Sequence, residues 1–208
     1  HALSRCYVGK RHLEKALAQV PEAKATVSWS PFFLMPPQAW GQFPPEASVH
    51  GINKRSYYES KFGKERSEMM YQRLSSVFEN LGIKYSLGGN TGPTLDSHRL
   101  ITWSARFGAE KQNALVEALF KSYFVEEKAP CERDVLVAAA EEAGLEGAEA
   151  LLSDPQGCLQ EVEQELQHAR GISGVPYFIV SNGSRTLTFS GAQPPDTFVE
   201  ALEELSGA

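Results

Sequence analysis

The sequence predicts an α/β fold whose strand-forming parts lie towards the two ends of the chain, with a long helical block between them. Three observations predict it. Residues 25–34 are dense in β-branched and aromatic side chains, residues 56–167 offer only helical periodicity, and β character returns at 175–189 ahead of a closing amphipathic helix. With 208 residues, 42% hydrophobic and 22% charged, the chain is long enough to bury a core and too apolar to stay disordered.

The elements follow in order. From Gly9, Leu13, Leu17 and Val20 recur at helical spacing, with Lys10, Arg11, Glu14 and Lys15 on other faces. Residues 1–5 offer neither a strand nor a leader, so the sequence reads as though a segment upstream of His1 were absent. A strand is expected over 25–34; Pro31 cannot donate to a ladder, which puts it at a sheet edge or near the strand's end. Pro36, Pro37, Pro44 and Pro45, with Gly41 and Gly51, mark a loop of about 15 residues. The helical block is broken at Gly63, at 82–94, at Gly108, at Ala129-Pro130 and at Asp154-Pro155. Within it Met69, Met70, Leu74, Val77 and Leu81 read as a core stripe. Asp154 is expected to cap a helix with Pro155 in its first position, and Arg170-Gly171 to end it. Val175-Pro-Tyr-Phe-Ile-Val180 and Thr186-Leu-Thr-Phe189 form a hairpin around Asn182-Gly183. A last helix runs from Pro194 or Pro195 to Leu205 with Phe198, Leu202 and Leu205 on one face.

Charge and cysteine usage narrow the function. Twenty Lys and Arg against 26 Asp and Glu give −6 with no basic cluster, which argues against a nucleic-acid partner. No apolar run reaches the roughly 18 residues of a membrane span. Three dispersed cysteines, Cys6, Cys131 and Cys158, make no disulfide framework, so a reducing, cytoplasmic setting is expected. Cys131 and Cys158 lack CxxC spacing and nearby histidines, so no metal site is expected, and Cys131 reads as an exposed loop thiol. Cys6, near a helix start beside Arg5 and Lys10, is the candidate reactive thiol. Asp96, His98 and Arg99 bring acid, imidazole and guanidinium together behind a Thr94 cap, although an acid in a first turn is what the helix dipole favours anyway. Residues 161–165 read as a solvated acidic face.

The string Cys6-Tyr-Val-Gly-Lys-Arg-His-Leu-Glu-Lys-Ala-Leu17 resembles the active-site helix of the DsbA-like thioredoxin family, in its cytoplasmic FrnE-type branch. Members of that branch usually read Cys-Pro-Trp-Cys-Tyr-(Ile/Val)-Gly-Lys there. Trp29-Ser-Pro-Phe-Phe-Leu34, Asn90-Thr91, Thr94-Leu-Asp-Ser-His-Arg-Leu100, Ala118-Leu-Phe-Lys-Ser-Tyr-Phe124, Gly171-Ile-Ser-Gly-Val-Pro-Tyr-Phe178 and Phe189-Ser-Gly-Ala-Gln-Pro-Pro195 match in chain order. The resemblance implies a thioredoxin-like fold over 1–50 and 158–208, interrupted by a helical insertion domain over 51–157. It further implies disulfide exchange through a mixed disulfide, with a protein or small-molecule thiol or disulfide as substrate. Val175-Pro176 would be a cis bond near Cys6 whose backbone presents the substrate.

The match departs at the active site. Leu3-Ser4-Arg5-Cys6 aligns with the family's Cys-x-x-Cys, which puts Cys6 on the resolving position and Leu3 on the nucleophile. Either the upstream part with the first thiol is missing, or the chain is a relative with one thiol or none in use. Kappa-class glutathione transferases and chromene-carboxylate isomerases share the architecture, so glutathione is a candidate co-substrate, with Ser190, Gly191 and Gln193 as contacts. A redox-inactive peptide-binding module is the third reading. Asn90, Asp96 and His98 remain candidate site residues, and the oligomeric state is open. The expected sheet has three strands, near 26–34, 176–180 and 186–189, where the fold normally has four or more. Its amides are expected to exchange faster than the helices.

Overall fold

The computed structural model describes residues 2–207; the expectation for His1 lies outside them. In chain order the helices are α1 (Ala2–Gln19), α2 (Ala47–His50), α3 (Lys54–Phe62), α4 (Lys64–Glu79), α5 (Leu95–Ser104), α6 (Ala109–Phe124), α7 (Arg133–Glu142), α8 (Ala148–Ser153), α9 (Leu159–His168) and α10 (Pro195–Ser206). The strands are β1 (Ile52–Asn53), β2 (Asn90–Thr91), β3 (Tyr177–Ser181) and β4 (Thr186–Ser190). The chain divides into two compact units, one joining the stretch up to Thr26 with that from Gly171, the other spanning Val27–Arg170. The division between these units falls at 26/27 and 170/171.

The first unit is α1, the β3–β4 hairpin and α10. Helix α1 is already formed at Ala2, earlier than the periodicity from Gly9 predicts, because Ala2, Leu3 and Arg5 are good helix formers. The antiparallel hairpin pairs Phe178 with Phe189 and Val180 with Leu187. Its turn is made by Asn182, whose Oδ1 accepts the N–H groups of Ser184 (3.0 Å) and Arg185 (2.8 Å), while Gly183 takes the left-handed φ of +87° that such a turn requires. Alternation sends Phe178 and Phe189 inward. Both rings meet Phe198 of α10 edge-on, at 4.7 and 6.0 Å. Ala16 of α1 and Val20 just beyond its end, with Phe198 and Leu202 of α10, complete this core. The opposite face is exposed, and Ile179 there keeps 64% of its surface open.

The second unit is helical, with one two-residue ladder, β1–β2, that the sequence does not announce. Its core joins Leu100 and Trp103 of α5, Leu115 and Ala118 of α6, and Leu136, Ala139 and Ala140 of α7. Residues 25–34 form no strand, which corrects the three-strand expectation: the sheet in the first unit has two strands, β3 and β4. The reason is visible at Trp29. The buried Gln112 side chain of α6 accepts the Trp29 N–H (2.9 Å) and donates to its carbonyl (3.1 Å), doing for that residue what a ladder neighbour does in a sheet. Asp154 caps a turn, not a helix. Its Oδ1 accepts the Gln156 N–H at 2.9 Å, and α9 starts only at Leu159. The stripe on α4 is also rotated from expectation, for Ser67, Leu74 and Phe78 are buried whereas Met69 is 64% exposed.

Candidate functional site

Cys6 sits in the second turn of α1, not at its first residue, and is buried at 9% exposure. Burial pushes its thiol up to about 12, because a thiolate there would lose its hydration. Burial thus works against activation of this thiol at the helix start. The next four residues, Tyr7, Val8, Gly9 and Lys10, are buried too. Lys10 pairs with Glu14, and Glu14 also pairs with Arg11 at 2.8 Å. Arg11 in turn donates to the Tyr7 hydroxyl at 3.0 Å and lies over its ring.

One turn beyond Cys6, Gly9 meets the segment leading into β3. A Cβ at Gly9 would lie 2.9 Å from Phe178 Cζ and 3.3 Å from Pro176 Cγ, so only glycine allows this approach. The Val175–Pro176 bond is cis, and Pro176 is buried against α1. Its carbonyl accepts the Gly191 N–H at 2.8 Å, just past β4. Gln193 N–H donates to Gly191 O (2.9 Å), and Gln193 O accepts from His12 Nδ1 on α1 at 2.7 Å. A carbonyl can only accept, so Nδ1 carries the proton.

This geometry changes the part assigned to residues 190–193. An anion such as a glutathione carboxylate needs free N–H donors. Those of Gly191 and Gln193 are consumed, Pro194 and Pro195 have none, and Thr197 donates to Pro194 O at 3.2 Å. Asp196 adds negative charge to the first turn of α10. Ser190 O is itself taken by Gln193 Nε2 at 2.7 Å. Of the candidate contacts, Gly191 and Gln193 thus have their backbone N–H groups engaged within the chain.

The remaining candidates belong to the helical unit. Asn90 lies in β2, where its Nδ2 donates to His50 O at 2.8 Å. Asp96 pairs with Arg99 at 2.6 Å. Arg99, 3% exposed, also donates to Gly157 O (2.7 Å), Leu151 O (3.1 Å) and Asp154 O, so this pair closes the end of α8 instead of forming a catalytic group. The His98 ring stands edge-on to Phe33 at 5.2 Å, and burial lowers its pKa to about 4 despite a hydrogen bond to the Phe32 backbone. Cys131 is half-buried, not exposed, and burial raises its pKa to about 11. Among the described residues no group of three His, Cys, Asp or Glu side chains could hold a metal ion. No helix among them is long and apolar enough to cross a membrane.

Sequence reasoning missed Gly9 and His12 as parts of this assembly. Gly9 carried a signal, as the one glycine in the α1 pattern; His12 carried none, since its partner lies 181 positions away.

A helix carrying a buried thiol, packed at Gly9 against a cis-proline that leads into a β-hairpin backed by a last helix, with a helical block inserted between, defines a thioredoxin-like fold. The DSBA-like thioredoxin domain model matches residues 5–203, and the chain belongs to that family. It is 26% identical to the uncharacterized protein YwbO of Bacillus subtilis (strain 168) over 208 residues, covering 96% of this chain and 90% of the relative. The crystal structure of the probable DsbA oxidoreductase SCO1869 from Streptomyces coelicolor superposes with a TM-score of 0.76 at 27% identity, over 99% of this chain and 86% of that one.

Proposed function

We propose that this chain is a thiol–disulfide exchange protein of the FrnE-type branch of its family, acting on thiol or disulfide substrates in the cytoplasm, with Cys6 in the resolving role. The carrying observation is that Cys6 is buried, one turn from the glycine that receives Pro176, and that this burial pushes its thiol up. A nucleophile facing free substrate needs exposure and a stabilised thiolate. A resolving thiol needs neither, because its target, the mixed disulfide, is formed beside it and its proton leaves only as it attacks. The substrate would lie along the Val175-Pro176 backbone. With Leu3 three residues before Cys6, the chain as written holds one thiol of the pair. Cys6 alone therefore attacks a disulfide slowly, and its exchange stops at the mixed disulfide until an external thiol releases it.

Insulin reduction with dithiothreitol tests this. The chain is expected to run close to the uncatalysed rate, and Leu3→Cys to raise turnover at least about tenfold, since a thiol at i−3 can bridge to Cys6. Turnover of the unmodified chain equal to that of a two-cysteine relative would overturn the reading, as would a Leu3→Cys protein that forms its disulfide without gaining activity.

A further inference from the structure

The link after β4 is a mechanical part of the site. Starting at Pro176, the contacts run in a closed circuit. The Pro176 carbonyl takes the Gly191 N–H (2.8 Å), Gly191 O takes the Gln193 N–H (2.9 Å), and Gln193 O takes the His12 proton (2.7 Å). From His12 the path returns along one turn of α1 to Gly9, whose bare Cα lets the Pro176 and Phe178 side chains against the helix. Phe178 has little room to yield, because its ring stands edge-on at 4.7 Å to Phe198, which is wholly buried. Cys6, Gly9 and His12 step along α1 at three-residue intervals, so the helix that carries the thiol is fixed to the proline segment at two points. One point is steric and sets how near the segment comes. The other is a hydrogen bond and sets its tilt.

We infer that Gly9 and His12 are positioning residues that hold the backbone at Val175-Pro176 in the register a peptide substrate needs to reach Cys6. This rests on the proposed reading of Cys6 and Pro176 as the exchange site. Neither residue touches the reacting sulfurs. Each acts through Pro176.

The reaction that reports on them is single exchange. The Cys6 sulfur gives up its proton to solvent as it bonds to one sulfur of the disulfide, that S–S bond breaks, and thionitrobenzoate leaves as a thiolate and stays ionised at pH 9. The number of disulfides is unchanged. Two disulfides are compared at pH 9: an extended peptide bearing a cysteine–thionitrobenzoate mixed disulfide, and Ellman's reagent, which has no backbone to align. Mass spectrometry of the Cys6 peptide separates its reaction from those of Cys131 and Cys158. The ratio of the peptide rate to the small-molecule rate reads alignment and cancels the exposure of the thiol.

For the unmodified chain the ratio is expected above one. His12→Ala should lower it about threefold to tenfold, the range that one neutral hydrogen bond supports. His12→Gln, which keeps an N–H donor, should restore most of it. Gly9→Ala should lower it as well, with thermal unfolding and far-UV dichroism reporting whether that variant folds; His12→Ala keeps the test decisive if it does not. If the ratio holds in folded His12→Ala, or if both rates rise together because α1 has merely loosened, the positioning role is wrong while the exchange site stands. A ratio of one in the unmodified chain overturns the exchange-site reading itself.

Discussion

The two units bury their interiors by different means. Under the hairpin the core is hydrocarbon, for Phe178 and Phe189 close on Phe198 with Ala16, Val20 and Leu202 around them, and the buried cation of this unit, Lys10, pairs with Glu14 of its own helix. In the helical unit, buried polar side chains reach across to main-chain carbonyls. Lys54, 1% exposed, donates to Tyr123 O at 2.8 Å near the end of α6 and lies 4.0 Å from the Tyr123 ring. Arg99 holds the end of α8, and Gln112 holds Trp29. The contrast follows from the elements. Strands satisfy their own backbone against each other, so β3 and β4 leave the core free to be apolar. Short helices joined by irregular segments leave carbonyls at every end, and buried ones need donors.

The comparison can be broken at its strongest point first. Phe198→Ala removes the ring on which both strands rest and should cost about 3–5 kcal/mol in urea unfolding, with amide protection lost across β3 and β4. A cost under about 1 kcal/mol would mean that the hairpin core is not held by apolar packing. Arg99→Met should come next, at roughly 3 kcal/mol, because it leaves carbonyls at the end of α8 without their donor. Loss of protection is expected in α8 and the turn to α9.

The smallest effect is the most diagnostic. Burial lowers the Lys54 pKa to about 8, while Glu127 nearby opposes the shift. The unfolded chain holds that proton up to about 10.5, so between pH 8 and 10.5 it binds more protons than the folded one. Stability from this group therefore rises with pH across that window. Between pH 8 and 9.5 the unmodified chain should gain about 1 kcal/mol relative to Lys54→Met, because the raised thiols of Cys6, Cys131 and Cys158 pull the other way equally in both proteins. The range stops below the titration of Tyr58 and Tyr123, whose raised pKa values act with the opposite sign. A flat difference between the two proteins would show that Lys54 is not the buried cation it looks to be.

Much of the architecture was legible because it is written in near neighbours. Phe198, Leu202 and Leu205 at helical spacing specify the buried face of α10, and Asn182-Gly183 specifies the hairpin turn. The β-rich composition of residues 25–34 misled because composition reports what a segment tolerates, while its pairing depends on what lies beside it. Of the candidate site, Cys6 and Pro176 were legible from motif strings. The state of the thiol was not, since hydration is a property of the surrounding fold.

The sequence by itself determined the hairpin, the closing helix, the helical block and the placing of Cys6 on the first helix. All of these depend on periodicities and turn chemistry acting over a few residues. Only the tertiary structure decided that Cys6 is buried, that the N–H groups of Gly191 and Gln193 are engaged within the chain, and that Gln112 takes the place of a ladder neighbour for Trp29. Those outcomes rest on partners 83 positions apart for Trp29 and Gln112 and 181 apart for His12 and Gln193. Desolvation and hydrogen-bond satisfaction are settled only when such distant groups are packed together.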